Sequence, residues 1–380
     1  MKHLSVINKY FWKYRWRFFL GILFILLSNY FRILSPQITG FVIDAVERLL
    51  PGYKPGGGTH SYDPAVRRLV GFTHDLPFGQ MLLANGLVLL ATALLSGFFL
   101  FLTRQTIIVM SRHIEYDQKN EIYRHYQLLD LGFYKENRTG DLMNRIAEDV
   151  SRVRMYTGPA LMYFINLAVT IGFSLYYMFT ANLKLTLIVL APLPLLALTI
   201  YFVNTVINRK SERIQQLLSE LTTTAQESYS GIRVIKSFVQ EKAQADYFEE
   251  NSEAYRSSAV GLAKMEAIYF PSMGLMIGIS TLLTILVGGI YAMQPGSDVT
   301  AGTLAEFVMN INILTFPVSA IGWTASMIQR ASVSQRRINE FLLIEPRIQQ
   351  PANAQKPVLH GNIDFNHVNF TYHHTGIQAL

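Results

Sequence analysis

Residues 161–203 read LMYFINLAVTIGFSLYYMFTANLKLTLIVLAPLPLLALTIYFV, two apolar runs parted only by Thr180, Ala181 and Asn182. A helix crossing the ~30 Å hydrocarbon layer needs about 20 mostly apolar residues. Leu161 to Phe179 supplies one such length and Leu183 to Val203 another, so the stretch predicts a tight hairpin of two membrane helices. Four more runs qualify outward from it: Phe18 to Val46, with Arg32 inside it; Met81 to Met110; Ile268 to Met293; and Leu304 to Ile328. The last two are joined by the turn-rich Gln294-Pro295-Gly296-Ser297-Asp298, a second hairpin. The expected fold is an all-α integral membrane protein with six transmembrane helices.

Composition agrees. Half of the residues are apolar and 16% are charged, too few charges for a soluble domain of this length. Without cysteine the chain has neither a disulfide framework nor a thiolate metal site, and no metal site is expected. The net charge of +7 does not predict a nucleic-acid partner, because Lys and Arg flank apolar blocks rather than line a soluble face. Their distribution follows the positive-inside rule. With a cytosolic N-terminus, the inner segments hold Lys2, Lys9, Lys13, Arg15 and Arg17, nine basic residues from Arg104 to Arg154, eight from Arg209 to Lys264 and five in the C-terminal tail. The outer segments hold only Arg48, Lys54, Arg67, Arg68 and Lys184. Both termini are therefore expected inside. The first apolar block is too long for a cleaved signal peptide.

Ser5 to Arg17 places Ile7, Tyr10, Phe11 and Tyr14 at helical spacing among Lys9, Lys13 and Arg15, which reads as an interfacial elbow helix. Two long inner segments then carry helical periodicity far beyond the membrane. Between spans two and three it is marked by Tyr116, Ile122, Tyr126 and Leu129, then Ile146, Val150 and Val153; between spans four and five by Ile214, Leu217 and Leu221, then Phe248, Tyr255 and Leu262. Arms of about 22–25 residues would reach roughly 35 Å past the bilayer. A pump driven by a cytosolic motor needs such levers; a channel or carrier has little use for two.

The returns of these arms carry the decisive residues. Gly132-Phe133-Tyr134-Lys135-Glu136-Asn137-Arg138-Thr139-Gly140-Asp141-Leu142, followed by Asp149-Val150, resembles the first intracellular loop of bacterial ABC exporters of the multidrug or lipid type. Glu227-Ser228-Tyr229-Ser230-Gly231-Ile232-Arg233-Val234-Ile235-Lys236-Ser237-Phe238 looks like the second. Gly302-Thr303-Leu304, Phe307, Pro317 and Arg337-Ile338 follow in the family's order, so the resemblance covers essentially the whole chain. It implies two coupling helices that dock into nucleotide-binding domains: Phe133, Tyr134, Arg138, Thr139, Gly140 and Asp141 in the first, and Ser230, Gly231, Ile232, Val234 and Phe238 in the second. Tyr134 and Phe238 are the expected anchors in apolar grooves, while Gly140 and Gly231 would permit turns that a Cβ hinders. It also implies a half-transporter that pairs with a second half, identical or not, spans four and five crossing to the partner, in the bacterial inner membrane.

The domains expected are a six-helix transmembrane domain with its stalks over 1–345, a linker over 346–361, and the truncated start of a nucleotide-binding domain over 362–380. Ile363 to Tyr372 alternates in the period-two manner of a short β segment; by resemblance Tyr372 would stack on adenine. ATP and Mg²⁺ are the cofactors implied for the full-length protein. This sequence has no Gly-x-x-x-x-Gly-Lys-Ser/Thr loop to cradle phosphates, so no catalytic residue is expected here and the ATP-hydrolysing translocase is the full-length protein.

Polar residues within the spans are candidates for a substrate pathway: Arg32, Asn166, Thr170, Thr281, Asn312, Thr315 and Trp323. Interhelical hydrogen bonding is the competing role, and Arg32, costly in hydrocarbon, should face the bundle interior or a wet cavity. Gly274-x-x-x-Gly278 favours close helix packing, and Pro192, Pro194, Pro271 and Pro317 are candidate kinks. In the outer loop from Leu50 to Gly79, Ala65 to Phe72 has the makings of a short helix. The expected function is export of small hydrophobic or amphipathic solutes, drugs or lipids, from the cytosol or inner leaflet by alternating access. An importer on the same fold, and a non-pumping channel or regulatory subunit, are the alternatives.

Overall fold

A computed structural model describes residues 2–49, 62–73, 76–294, 297–346, 348, 353, 358, 361–371 and 376–379. After a 3₁₀ turn over Lys2–Ile7, the described chain forms α1 (Asn8–Lys13), α2 (Arg15–Glu47), α3 (Pro64–Thr73), α4 (Phe78–Leu128), α5 (Leu131–Glu136), α6 (Thr139–Ala181), α7 (Leu183–Ser230), α8 (Ile232–Ser237), α9 (Glu241–Ala292) and α10 (Ala301–Leu342). Six of these (α2, α4, α6, α7, α9 and α10) are long and apolar enough to cross a membrane. At 52 residues α9 measures about 78 Å, more than twice the hydrocarbon thickness. The expected continuation of a span into a water-exposed rod is thus one uninterrupted helix. The hairpin at Thr180 to Asn182 closes where Asn182 caps α7, its side chain accepting from Leu185 N at 2.9 Å.

Irregularities sit where their chemistry demands. α7 breaks for one residue at Ala191, ahead of Pro192, because a proline ring cannot extend the preceding hydrogen-bond ladder. Three wide π turns interrupt the long helices: Arg104–Ile108 in α4, and Arg145–Asp149 and Tyr156–Ala160 in α6. The expected strand from Ile363 forms no ladder among the described residues; a single antiparallel bridge joins Thr371 to Gln378, with Ala379 N donating to Phe370 O at 2.7 Å. A strand needs a neighbour for its alternating N–H and C=O groups, and no second strand is described. Tyr372 lies outside the described residues.

The chain divides into two compact units, residues 1–23, 101–164 and 324–380 forming one and 24–100 and 165–323 the other. In the first, Ile107, Met110, Ile114 and Ile122 of α4, Val150 and Val153 of α6, and Ile338 and Phe341 of α10 are all but fully buried. Gln118 donates to Gln335 at 3.0 Å inside this core. Ile7 and Tyr10 bury the elbow, as expected of its apolar face. Lys9 pairs with Glu121 and Lys13 with Asp117, each at 2.6 Å, and the Tyr10 and Tyr14 hydroxyls donate to the same two carboxylates.

In the second unit, Met178, Leu185, Val189, Phe307, Ile311 and Leu314 form the main core between α6, α7 and α10. Ser28 and Ser96 bond α2 to α4 reciprocally, each hydroxyl donating to the other's carbonyl at 2.9 and 3.0 Å. α2 and α10 meet backbone to backbone: a Cβ on Gly40 would stand 2.8 Å from the Gly302 carbonyl oxygen, and one on Gly302 would collide with that of Gly40. Asp44 seals the junction, accepting from Gly302 N at 2.6 Å and Thr300 Oγ1 at 2.8 Å, so its carboxylate sits at the positive end of α10. Gly274 and Gly278, by contrast, have no atom within 4 Å of where a Cβ would stand; no close helix contact forms at this pair among the described residues.

Candidate functional site

Each return of the stalks contains one short helix, α5 in the first and α8 in the second, and the two are built differently. The first belongs to the unit that holds the elbow. Leu129 adopts an extended backbone that ends α4, and Asp130 caps α5 by accepting from Phe133 N at 3.1 Å. Phe133 is buried and turns inward onto Phe341 of α10, ring centroids 6.1 Å apart. Phe341 also packs on Tyr126 at 4.5 Å, on His125 edge-on at 4.9 Å, and beneath the Arg145 guanidinium at 5.5 Å. The adjacent Tyr134 is part-exposed, its hydroxyl donating to Tyr126 O at 2.6 Å. Asp141 accepts from Arg145 at 2.7 Å and from Arg337 of α10 at 2.6 Å, and Arg337 reaches on to the buried Asp149 at 3.5 Å. Arg138, Thr139 and Gly140 are exposed. Gly140 is a helical residue of α6 with open space around it, so the expected turn is made instead by the extended residues Asn137 and Arg138.

The second return, in the other unit, joins α7 to α9 through α8. Gly231 has φ −94° and a Cβ there would meet Glu227 O at 3.1 Å; the glycine relieves a tight contact and not a left-handed turn. The left-handed residue is Val239, at φ 52°. Gln240 N donates to Ile235 O at 2.9 Å and Val239 N to Lys236 O at 3.3 Å, the paired bonds of a Schellman ending. A β-branched side chain rarely occupies that conformation, and nothing in the sequence marked it. Lys236 pairs with Glu241 at 2.9 Å, holding that carboxyl below its ordinary value, and Gln244 donates to Ser228 at 2.9 Å, closing the hairpin. Tyr229, Ile232, Val234, Phe238 and Val239 are left exposed, Phe238 at 71%, and Ser230 lies among them. A cavity of about 610 Å³ opens beside them, lined in part by Tyr229, Ile232, Ile235 and Phe248. Contiguous apolar exposure of this kind marks a surface that another body covers.

Residues 18–318 match the ABC transporter transmembrane region. The chain belongs to this family. An uncharacterized ABC transporter ATP-binding protein of Bacillus subtilis (strain 168), YknU, is 26% identical over 382 residues, covering 100% of this chain and 60% of that protein. The multidrug resistance-like ATP-binding protein MdlA of Escherichia coli (strain K12) is 26% identical over 378 residues, 97% of this chain and 58% of MdlA. An ATP-dependent lipid A-core flippase of Pseudomonas fluorescens (strain Pf0-1) is 24% identical over 367 residues, 93% of this chain and 60% of the flippase. The chain thus spans about three-fifths of the length of these ABC relatives.

The ABC family implies ATP and Mg²⁺, and the residues present do not fit them. No phosphate-cradling loop occurs in the sequence, and the described residues contain no cluster of three or more His, Asp or Glu able to hold a metal ion. Among the expected pathway residues, Asn166 and Thr170 are committed to Asn29: Asn29 Nδ2 donates to Asn166 Oδ1 at 2.8 Å, and Thr170 Oγ1 to Asn29 Oδ1 at 2.6 Å. Asn312 and Thr315 bond carbonyls of their own helix, at 2.8 and 3.1 Å, and Thr281 is half-buried. Arg32, expected to face the bundle interior or a wet cavity, is exposed on the single chain, as are Asn312 and Trp323.

Proposed function

We propose that the chain is the membrane half of an ATP-driven exporter, a multi-pass protein of the bacterial inner membrane with both termini in the cytosol. It moves hydrophobic or amphipathic solutes, drugs or lipids, outward by alternating access and works as a dimer of halves. The observation that carries this reading is the tip of the α7–α9 hairpin, where Ile232, Val234 and Phe238 stand out in the open at the end of two long helices. Such a tip is a docking element that only a second body buries. Relatives named as a multidrug resistance-like protein and as a lipid A-core flippase support the solute class.

On this reading the nucleotide chemistry belongs to the domain that docks, and this chain supplies transmission. α8, with Ser230, Gly231, Ile232, Val234 and Phe238, and the first return, with Phe133, Tyr134, Arg138, Thr139, Gly140 and Asp141, receive displacement from nucleotide-binding domains. The long rods of α7, beyond its break at Ala191, and of the uninterrupted α9 carry it into the bilayer. A docked state and a released state that differ in affinity for the motor bias the helices between two arrangements. Arg32, Asn312 and Trp323 are the pathway candidates left exposed for solute.

The test is ATP-dependent flux in inside-out vesicles made with the full-length protein and its partner half. Accumulation of solute inside reports export; ATP-driven loss from loaded vesicles would make the protein an importer, and ionic current without accumulation a channel. Phe238→Ala combined with Ile232→Ala is expected to abolish flux while nucleotide binding survives. Wild-type flux from that double variant would sink the docking assignment.

A further inference from the structure

We propose that a pocket between α2 and α6 is a binding site for hydrophobic organic cations. The pocket, about 490 Å³, is walled by the rings of Tyr30, Phe173, Tyr176 and Tyr177, with Leu26 and Val169 completing it. That volume suits a small ligand of drug size. Tyr30 meets Phe173 edge-on at 6.5 Å and Tyr176 meets Tyr177 edge-on at 5.1 Å, so the four rings stand beside the space as two edge-to-face pairs.

The rings alone would suit any apolar molecule; what lies behind them selects charge. Tyr30 donates its hydroxyl to Asp63 Oδ1 at 2.9 Å and Tyr177 to Asp63 Oδ2 at 2.7 Å. Asp63 is 8% exposed, and among the described residues its one further donor is the Ala65 N–H at 2.8 Å, at the start of α3. All three donors are neutral, and among the described residues no basic side chain forms an ion pair with it. A carboxylate removed from water and met only by neutral donors keeps a negative field that a low-dielectric surrounding screens weakly. A phenol donating to a carboxylate also shifts electron density into its ring. Both effects deepen the attraction of the ring faces for a positive charge. A neutral ligand gains nothing from Asp63 and an anion is repelled, so the class selected is a cationic centre carrying apolar groups. Such a centre belongs equally to a soluble organic cation and to the ammonium headgroup of a lipid. The assignment does not depend on the docking role of α8.

Tetraphenylphosphonium and tetraphenylborate have one shape and opposite charge, and their retention by the purified chain in dodecyl maltoside micelles can be measured by equilibrium dialysis. Gly172 lines the pocket, and a Cβ there would meet no atom within 4 Å. Gly172→Leu therefore fills the space at a helical position where Leu is favoured over Gly, and serves as the blank for non-specific uptake. Over that blank, tetraphenylphosphonium is expected to be retained at least ten-fold better than tetraphenylborate, with the Gly172→Leu protein melting no lower than the wild type. Asp63→Asn is expected to bring the two ions to equal retention. Displacement of the phosphonium by dodecylphosphocholine would assign the natural cation to lipid headgroups, and retention against it to soluble cations. Equal retention of both ions by the wild type, or no difference between wild type and Gly172→Leu, would overturn the proposal.

Discussion

The two returns are alike in sequence character, each an aromatic-bearing turn near a glycine, and opposite in construction. In the first, Phe133 is a root driven down onto Phe341, Tyr134 is tied to Tyr126 O, and Asp141 is held by two arginines. In the second, the aromatic end of α8 is 71% exposed, and local bonds alone, from Lys236 to Glu241 and Gln244 to Ser228, close the turn. One tip is shaped by its own chain before any partner arrives. The other leaves its apolar surface open.

Breaking the root should have the largest effect. Phe341→Ala removes a fully enclosed ring and is expected to cost about 3–5 kcal/mol, read as a lower melting temperature in detergent and faster proteolysis at Lys135. The same treatment should leave cleavage at Lys236 unchanged. Next comes Arg337→Ala, which strips Asp149, 1% exposed, of its cationic partner. Because Arg337 is itself 34% exposed, a cost of about 2 kcal/mol is expected rather than the full penalty of a buried ion pair, with Arg337→Lys recovering part of it.

The second return predicts a gain. Val239→Gly removes the strain of a β-branched residue at positive φ and should stabilise the turn by about 1 kcal/mol, seen as slower hydrogen exchange at Gln240. A smaller effect tests how far the pre-shaped character of the first unit extends. Burial alone would raise the Glu121 carboxyl, but Lys9 and Tyr10 outweigh it and hold it below its ordinary value. Glu121 lies beyond the apolar stretch of α4. A depressed carboxyl contributes stability that is complete above its unfolded value, about 4.3, and that is lost as pH falls through the folded one. Release of the elbow, followed by Trp12 and Trp16 fluorescence between pH 7 and 3, is expected in that window and to be absent in Glu121→Gln. The pair is part-exposed, so its worth is about 0.5 kcal/mol. Smallest of all, Phe238→Ala should change melting by less than about 0.5 kcal/mol while impairing flux in the full-length protein, which is the sharpest form of the contrast between the two tips.

The spans were legible because length and hydropathy alone decide them: the run from Phe18 to Val46 lies inside a helix of Arg15–Glu47, and the short helix expected from Ala65 to Phe72 became Pro64–Thr73. The elbow was legible from its spacing. What the residues did not announce is which of two adjacent aromatics turns inward. Phe133 and Tyr134 differ by one position, and the choice depends on Phe341, more than two hundred residues away. A separation of 196 residues hid the Arg337 contact to Asp141. Gly140 misled because a glycine signals permission to turn and not the turn itself, and Val239 escaped notice because its backbone is imposed by the hydrogen bonds that end α8. The alternation after Ile363 was real as a pattern, yet a strand exists only when something pairs with it.

The meeting of Gly40 with Gly302 has a mechanical consequence. Two helices touching carbonyl to Cα, with a carboxylate pinned across the joint, have no clearance to slide and can only swivel. Such a contact is a fulcrum. Over the ~30 Å from Gly302 to Trp323, a swivel of about 10° sweeps roughly 5 Å, enough to open or shut a path for a small molecule while the pinned end hardly stirs.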